Sequence, residues 1–266
     1  MTAKAIFITG GASGIGLAVA KHFAAQGWRV GLADVNAAGL EAAKAGFAAD
    51  KVNTYVMDVR DRGQWDAALK DFVAASGGRL DVMFNNAGIA VGGTFADTSA
   101  EDMDRVLGIN INGVIYGAYA AHPYLKATPG SCLVNTASAA GIYGSAGLAL
   151  YSAGKFAVRG LSEALDGEWA PDGIKVRVLM PSFIDTPLLD TVAPGTNRTA
   201  REGVRDAGLE FTPVEVVAKA VWDGVHGDKV HLIVGKTAKR LAFAARWMPG
   251  AIRKQARNRI LETRRG

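Results

Sequence analysis

The sequence predicts an α/β fold in which one doubly wound sheet of seven parallel strands is covered by helices on both faces. Short apolar runs typical of buried strands alternate with longer segments of helical spacing along the 266 residues. Hydrophobic residues make up 49% of the chain and charged residues 21%, which suits a soluble protein with a full core. Neither a linker nor a repeat divides the chain, so we expect one domain over residues 1–235 and a helical C-terminal extension over residues 236–266.

The first apolar run is followed by a glycine-rich turn and then by a helical pattern. Ala5-Ile-Phe-Ile is typical of a buried strand, and the helical pattern begins at Leu17 and stops at Gly27. The turn between them is Thr9-Gly-Gly-Ala-Ser-Gly-Ile-Gly16. Small residues let the backbone approach a pyrophosphate, and the next helix N-terminus supplies free N–H groups and a positive dipole end. The segment therefore predicts a phosphate-binding loop.

The next two predicted strands each end at an aspartate. Arg29-Val-Gly-Leu-Ala leads into Asp34, and Thr54-Tyr-Val-Met leads into Asp58. In a Rossmann-like arrangement, an acid about 20 residues past the glycines binds a ribose 2′-hydroxyl and repels a 2′-phosphate. Ser13 and Val35 occupy positions where a cation for that phosphate would be expected. We therefore predict NAD rather than NADP as the cofactor.

The remaining predicted elements continue the alternation of strands and helices. Asn110 lies inside a helical pattern, where asparagine is unfavourable, which indicates a buried polar contact or a local distortion. The polar segment 188–210 is weakly periodic and is predicted to be a mobile lid. The other expected elements are a helix over 61–76, strands over 80–84, 131–136 and 174–180, a helix over 214–225 and a strand over 229–234.

Tyr151 and Lys155 lie four residues apart at the start of a predicted helix, so their side chains share one face. An ammonium close to a phenol favours the phenolate and lowers the tyrosine pKa from its free value of about 10. Such a tyrosine can exchange a proton with an alcohol or a carbonyl near neutral pH. Taken alone, the pair is more typical of a half-buried tyrosine beside a surface lysine, so the interpretation depends on the other motifs.

Taken together, the motifs resemble those of the short-chain dehydrogenase/reductase family, in its short, single-domain, NAD(P)-dependent branch. The resemblance spans about residues 4 to 235 and depends on the order and spacing of all the motifs. One departure is Ser182 after Pro181, where the family has glycine, because it adds a side chain close to the nicotinamide and the substrate. The motifs are the glycine-rich turn, Asn85-Asn-Ala-Gly88, Asn110, Ser138, Tyr151-x-x-x-Lys155 and the segment from Pro181 to Thr186.

The resemblance implies a role for each of these positions. Tyr151 would be the general acid/base, and Ser138 would hold the substrate oxygen and stabilise charge on it. Lys155 would hold the nicotinamide ribose and lower the Tyr151 pKa, while Asn110 would position a water that leads the proton to solvent. The implied cofactor-binding set is Gly10, Ser13, Gly14, Ile15, Gly16, Asp34, Asp58, Val59, Asn86, Ala87, Gly88, Tyr151, Lys155, Pro181, Ile184 and Thr186. The family also implies a homodimer or a homotetramer.

The walls expected around the substrate are mostly apolar, which favours a hydrophobic secondary alcohol or ketone. They are Ser138, Ala139, Ile142, Tyr143, Ser182, Phe183, Leu188, Leu189 and Val192. Two alternatives remain, a 3-ketoacyl reductase acting on carrier-protein or CoA thioesters and a dinucleotide-sensing binding protein without turnover. A sensor needs only the glycine-rich turn and Asp34, so the complete catalytic set argues against it.

The net charge of +5 is unevenly distributed along the chain. The extension 236–266 contains ten Lys or Arg residues and one acid, Glu262, so it carries +9 and the remainder carries −4. Its apolar stripe is interrupted at Pro249-Gly250. The extension is predicted either to pack on a subunit or to anchor on an anionic membrane or an acidic protein, and we expect mainly packing with a secondary affinity for acidic surfaces. The stripe consists of Leu241, Ala244, Ala245, Met248, Ile252, Ala256 and Ile260.

Several other classes of function are disfavoured by the composition. No nucleic-acid-binding motif accompanies the positive charge, so we expect no nucleic-acid partner. The four histidines, His22, His122, His226 and His231, lack ligand spacing, so we expect no metal site. Cys132 is the single cysteine and is expected to be a buried thiol in a reducing compartment. The first apolar run resembles neither a signal peptide nor a membrane span, and we expect a cytoplasmic protein.

Overall fold

Seven parallel strands form one sheet, as predicted, in a computed structural model that describes residues 3–190 and 198–263, with side chains up to residue 258. The strands are β1 Ala5–Thr9, β2 Arg29–Asp34, β3 Val52–Val56, β4 Val82–Asn85, β5 Cys132–Thr136, β6 Lys175–Pro181 and β7 His231–Val234. Their order across the sheet is β3-β2-β1-β4-β5-β6-β7. The order reverses between β1 and β4, and such a switch point opens a crevice at the carboxyl ends of the strands.

Helices cover both faces of this sheet and extend beyond it at the C-terminal side. They are α1 Gly14–Ala25, α2 Ala37–Lys44, α3 Arg62–Ala75, α4 Ala100–Leu107, α5 Gly113–Lys126, α6 Ala149–Glu168, α7 Ala200–Asp206, α8 Val214–His226, α9 Lys236–Trp247 and α10 Pro249–Thr263. Short 3₁₀ turns lie at Phe95–Asp97, Ala139–Gly141, Ala170–Asp172 and Pro187–Asp190. The doubly wound architecture predicted from the alternating pattern is confirmed.

Two hydrophobic clusters, one on each face, explain why the strands are continuous apolar runs. Every residue of β1 and β5 is buried. On one face, α1 contributes Phe23 and α8 contributes Val221 to the cluster. On the other, α3 contributes Trp65 and Phe72, and α5 contributes Leu125. A parallel strand covered on both sides needs apolar residues at successive positions, and that composition is what made the strands predictable.

Two helices were not predicted from the apolar pattern. The short helix α2 is capped by Asn36, whose Oδ1 accepts a hydrogen bond from the N–H of Gly39 at 2.9 Å. Helix α7 begins with a capping box, in which Thr199 and Glu202 satisfy each other's backbone N–H groups. The segment predicted as a lid is therefore partly helical, whereas residues 191–197, which include Val192, lie outside the described residues.

The helical pattern around Asn110 is broken by a π-helical turn over Gly108–Asn112, which separates α4 from α5. The side chain of Asn110 is fully buried. Its Nδ2 donates to the Ile89 carbonyl at 2.8 Å, and its Oδ1 accepts from the Ile89 N–H at 2.9 Å. Both explanations offered for this asparagine, a buried polar contact and a local distortion, are confirmed.

The extension folds as two helices that meet at the predicted break before Pro249. Helix α9 packs against β7 and the turn Ala139–Gly141, and it buries Ala238 completely. Helix α10 packs back on α9. Among the described residues, no helix is both long and apolar enough to cross a membrane.

Candidate active site

A cavity of about 920 Å³ opens at the carboxyl ends of the strands, and most of the predicted site residues line it. They are Gly10, Ser13, Gly14, Ile15, Asp34, Asp58, Val59, Asn86, Ala87, Gly88, Ser138, Ala139, Tyr151, Lys155, Pro181, Ser182, Phe183, Ile184, Thr186, Leu188 and Leu189. Gly16 and Asn110 support the lining from behind. Contrary to expectation, Ile142 and Tyr143 do not line the cavity, because Ile142 packs instead on a core cluster with Val158.

The glycine-rich turn has the shape that a pyrophosphate requires. A Cβ on Gly16 would lie 2.2 Å from the Gly10 carbonyl oxygen, so only glycine permits this turn. Ser13 is the N-cap of α1 but makes no side-chain capping hydrogen bond. Within the described part of the chain, the first-turn N–H groups of α1 have no side-chain acceptor, and an anion at this helix N-terminus would satisfy them. These residues fit the phosphates of a dinucleotide.

Thr9 joins this turn to the end of β4. Its hydroxyl accepts hydrogen bonds from the N–H groups of Asn86 at 3.0 Å and Ala87 at 3.1 Å. Asn86 returns a bond from Nδ2 to the Thr9 carbonyl at 3.0 Å. Asn86, expected beside the cofactor, thus also fixes the distance between the two loops. Thr9 is buried and begins the glycine-rich turn, but its role in joining that turn to the end of β4 could not be predicted without knowing that β1 pairs with β4.

Asp34 and Asp58 lie where the adenosine end of a dinucleotide was expected. Asp34 accepts hydrogen bonds from the N–H groups of Ala12 at 3.2 Å and Asn36 at 3.0 Å, which fix its carboxylate at the end of β2. Asp58 pairs with Arg60, Nη2 to Oδ2, at 2.6 Å, and these hydrogen bonds lower its pKa. Arg60 also lines the cavity and was missed by the sequence analysis.

Tyr151 and Ser138 meet at the wall of the cavity. Burial raises the pKa of Tyr151 above its ordinary value, and this effect outweighs the nearby Ser138 hydroxyl, which lowers the pKa. This direction is contrary to the expected effect of Lys155. The Lys155 Nζ lies 5.5 Å from the centroid of the Tyr151 ring, over its face, and donates to the Thr136 carbonyl at 2.8 Å.

Lys155 is 3% exposed, and burial lowers its pKa to about 8. No carboxylate forms an ion pair with it among the described residues. Asn110 Oδ1 and Lys155 Nζ both lie close to Gly88. A Cβ atom added to Gly88 would lie 3.3 Å from the Asn110 oxygen and 3.5 Å from the Lys155 nitrogen. Gly88 thus leaves room for both polar groups behind the cavity. The Asn110 amide bonds Ile89, and the water-positioning role stays a prediction.

Ser182, which stands where the family has glycine, lines the cavity, and its hydroxyl lies toward Gly235. Its Oγ is buried and makes no hydrogen bond. A Cβ on Gly235 would lie 2.0 Å from that Oγ, so the hydroxyl occupies the space left by the missing side chain of Gly235. Gly235 has φ of +94°, a conformation that side chains other than glycine rarely adopt. The side chain that Ser182 adds therefore fills the volume that Gly235 leaves free, where the ends of β6 and β7 meet.

The C-terminal helices close the far end of the cavity, a contribution that the sequence analysis did not predict. Leu241 and Ala244 of α9 lie in the lining, as does Ile252 of α10. Arg240 lies beside them and is exposed. Leu241, Ala244 and Ile252 of the predicted apolar stripe therefore pack on their own subunit as a wall of the site, whereas Met248 is 52% exposed and the side chain of Ile260 lies outside the described part of the chain.

The glycine-rich turn fits a dinucleotide, and Ser138 and Tyr151 lie at the same cavity. These features define the class of the protein, that of the NAD(P)-dependent dehydrogenases and reductases that act on CH–OH groups. The model of the short chain dehydrogenase family matches residues 4–197, and the chain belongs to that family. The sequence-based resemblance is thereby confirmed.

Individual relatives show how widely the substrates vary. The chain is 36% identical over 183 residues to meso-2,3-butanediol dehydrogenase of Serratia marcescens, covering 69% of this chain and 72% of that one. It is 34% identical to 3-oxoacyl-[acyl-carrier-protein] reductase of Thermotoga maritima, covering 74% and 80%. A solved short chain dehydrogenase/reductase from Burkholderia phymatum, in complex with NAD, superimposes with a TM-score of 0.80 at 26% identity, covering 95% of each chain.

Replacing Lys155 by methionine should stabilise the protein at neutral pH by about 2 kcal/mol, although it removes a functional group. The lysine pKa falls from 10.5 to about 8 on folding, so the unfolded chain binds the proton more tightly. Wild-type stability should rise between these two pH values, and the variant should lack that rise. Removing the lysine, with its lowered pKa, should raise the free energy of unfolding by about 3 kcal/mol. Losing the hydrogen bond to Thr136 should lower it by about 1 kcal/mol.

Urea unfolding of wild type and Lys155→Met at neutral pH and above pH about 10 measures both effects. The exposed Lys70→Met is the matched control and should change stability little at either pH. If Lys155→Met were no more stable than wild type at neutral pH, burial of the Lys155 ammonium without a paired carboxylate would not destabilise the protein, and the prediction would be wrong.

Gly235→Ala should destabilise the protein by about 3 kcal/mol, because it adds overpacking against Ser182 to the strain of a positive φ. Ser182→Gly in the same chain should restore about 1–2 kcal/mol, leaving the backbone strain. Gly27→Ala is the matched control, since Gly27 has φ of +82° and open space around its Cβ position. In denaturant unfolding, Ser182→Gly should not restore the stability lost in Gly27→Ala. Equal restoration of stability in Gly27→Ala and Gly235→Ala would refute a specific contact between Ser182 and Gly235.

Proposed function

We propose that this chain is an NAD-dependent oxidoreductase that interconverts a hydrophobic secondary alcohol and its ketone, with Tyr151 as general acid/base. The observation that carries the proposal is the placement of Ser138, Tyr151 and Lys155 at the wall of one mostly apolar cavity. NAD, when bound, supplies the hydride acceptor for alcohol oxidation. The residues at the glycine-rich turn and at Asp34 would hold its phosphates and its adenosine ribose.

The protein's own residues would position the alcohol and move its proton. Ser138 would hold the substrate oxygen and share it with Tyr151, which takes the hydroxyl proton. The buried Lys155 ammonium would hold the nicotinamide ribose, and the positive charge beside the Tyr151 ring would stabilise a phenolate as it forms. Asn110 would be a positioning residue, because its amide fixes Ile89 in the loop behind the site.

The chemistry of the cavity wall supports a hydrophobic substrate. The lining is mostly apolar, although the C-terminal helices also contribute Thr237, Arg240 and Gln255 to it. A pocket of this kind binds by burying apolar area and orients its ligand with few polar groups. The apolar lining residues are Ile89, Ala139, Leu148, Phe183, Leu188, Leu189, Leu209, Leu241, Ala244 and Ile252.

Arg240 favours a second candidate, reduction of a 3-ketoacyl thioester. Its side chain lines the outer end of the cavity and makes no ion pair with a described acid. A guanidinium there could hold the phosphate of a carrier or CoA thioester. Initial rates with a 3-ketoacyl-CoA and with a simple apolar ketone would separate the candidates, since only the first requires an anion near Arg240.

The proposal includes a homodimer or homotetramer in the cytoplasm. Helices α5 and α6 expose Ile115, Tyr119 and Phe156, and Tyr119 is 82% exposed, so this face offers apolar area to another copy. Cys132 is a buried thiol whose pKa burial raises to about 12, and it suits a reducing compartment.

Tyr151→Phe should lower the turnover number by a factor of about 100 to 10,000, because general acid–base catalysis contributes on that scale. Cofactor affinity should stay close to wild type, since the ring remains. Tyr143→Phe is the matched control because Tyr143 does not line the cavity. A screen of apolar secondary alcohols and ketones, followed by nicotinamide absorbance and by NAD titration, measures both quantities. Near-normal turnover of Tyr151→Phe would refute the proton-transfer role.

Wild type should prefer NAD to NADP, and Asp34→Asn should reduce that preference about tenfold by removing a charge that repels a 2′-phosphate. Ala12 and Asn36 donate to different oxygens of Asp34, so asparagine keeps an acceptor for one of these two hydrogen bonds and loses the other. Arg60 does not compensate in wild type because Asp58 neutralises it. Initial rates with each cofactor test this, with the exposed Asp66→Asn as control. An unchanged ratio in Asp34→Asn would mean that its carboxylate does not face the 2′ position.

A further inference from the structure

Helix α9 has two faces of opposite character. Toward the body of the protein it presents small and apolar residues, among them Ala238, Leu241 and Ala244. Its other face, here called the docking face, consists of Lys239, Phe243, Arg246 and Trp247, which follow one another at i, i+4, i+7 and i+8, together with Met248 at the end of the helix. The packing of the extension leaves this second face uncovered.

The docking face exposes large apolar side chains to an unusual extent. Phe243 is 62% exposed, Trp247 is 65% exposed and Met248 is 52% exposed. Adjacent large apolar side chains left in water indicate a surface that meets another molecule. The Arg246 guanidinium lies 5.3 Å from the centroid of the Trp247 ring, so a cation is paired directly with the indole.

The cations around the docking face are not neutralised by this chain. Among the described side chains of α9 and α10, only Lys236 forms an ion pair, with Glu210 at 3.7 Å. The cations without an acidic partner in the described part of the chain are Lys239, Arg240, Arg246, Arg253, Lys254 and Arg257. The sequence adds three more cations and one acid to this extension, so its surplus positive charge favours association with an anionic partner.

We propose that the docking face binds the surface of an anionic lipid membrane, with Phe243, Trp247 and Met248 inserted between headgroups and the surrounding Lys and Arg side chains against lipid phosphates. Tryptophan and phenylalanine interleaved with cations on one helical face are the composition of a helix that lies in a membrane interface. An acidic protein would complement the charge but gives no reason for three adjacent apolar side chains in water. A second copy of the chain would bring its own positive extension to the contact.

The docking face is joined to the cavity through the same two helices. Leu241 and Ala244 line the cavity one helical face away from Phe243 and Trp247, and Arg240 lies between the two surfaces. A membrane under α9 would therefore lie beside the apolar end of the cavity. If the proposed reaction holds, its substrate would be an alcohol or ketone dissolved in lipid, but the docking itself does not depend on that reaction.

The test is flotation of the full chain with vesicles of phosphatidylcholine alone and of equimolar phosphatidylcholine and phosphatidylglycerol. Binding to the anionic vesicles should exceed binding to the neutral ones and weaken as salt is raised. Tryptophan emission should shift to shorter wavelength on binding, and Trp247→Phe should remove most of the shift while keeping the binding.

Two double variants separate the apolar and the ionic contributions. Phe243→Ser with Trp247→Ser should abolish flotation, and the exposed Val56→Ser on β3 should not. Lys239→Glu with Arg246→Glu should weaken binding at least about 30-fold at low salt, since each lost cation costs about fivefold and each added acid repels further. Lys44→Glu with Lys70→Glu changes the net charge equally at exposed sites on α2 and α3 and should weaken binding much less. None of these residues lines the cavity, so turnover of a water-soluble substrate should stay at the wild-type level.

Three outcomes would overturn the proposal. The first is absence of flotation with anionic vesicles at low salt. The second is equal affinity for soluble polyglutamate without a tryptophan shift, which would assign the face to an acidic protein. The third is a smaller oligomer by size exclusion for Phe243→Ser with Trp247→Ser, combined with no vesicle binding by wild type, which would assign the face to a contact between copies.

Discussion

The hydrogen bonds between Thr9 and Asn86 are the constraint on which the site depends. They tie the glycine-rich turn after β1 to the loop after β4, across the point where the strand order reverses. Gly10 packs against Ala87 there, at a distance that leaves no room for a side chain. The loop after β4 in turn holds Gly88 and Ile89 against Asn110. Each polar group of the site is therefore positioned relative to a backbone that this one junction fixes.

Much of the fold could be predicted from sequence, because buried parallel strands and amphipathic helices leave strong patterns. The candidate catalytic positions were predicted from motif spacing, and the structure gathers Ser138, Tyr151 and Lys155 around one cavity. Two short helices escaped prediction, since α2 and α7 owe their ends to capping residues rather than to apolar periodicity. Motif spacing sets position along the chain, whereas a short helix depends on a few local hydrogen bonds.

Three-dimensional proximity could not be predicted in the same way. Gly235 accommodates Ser182, and α9 completes the cavity, each through contacts between residues of different elements. The direction of the Tyr151 pKa shift also depends on burial, which the four-residue spacing from Lys155 does not report. Spacing indicates which groups are neighbours on one helix, but the balance between desolvation and charge requires the whole surrounding structure.

The closing of the cavity by α9 and α10 has a consequence for how the protein is made. During synthesis the chain emerges from its N-terminus, so the lining residues of α9 and α10 appear after every other described residue of the cavity wall. Domains begin to fold as they emerge. The part of the wall contributed by α9 and α10 can therefore close only after the rest of the cavity lining has emerged.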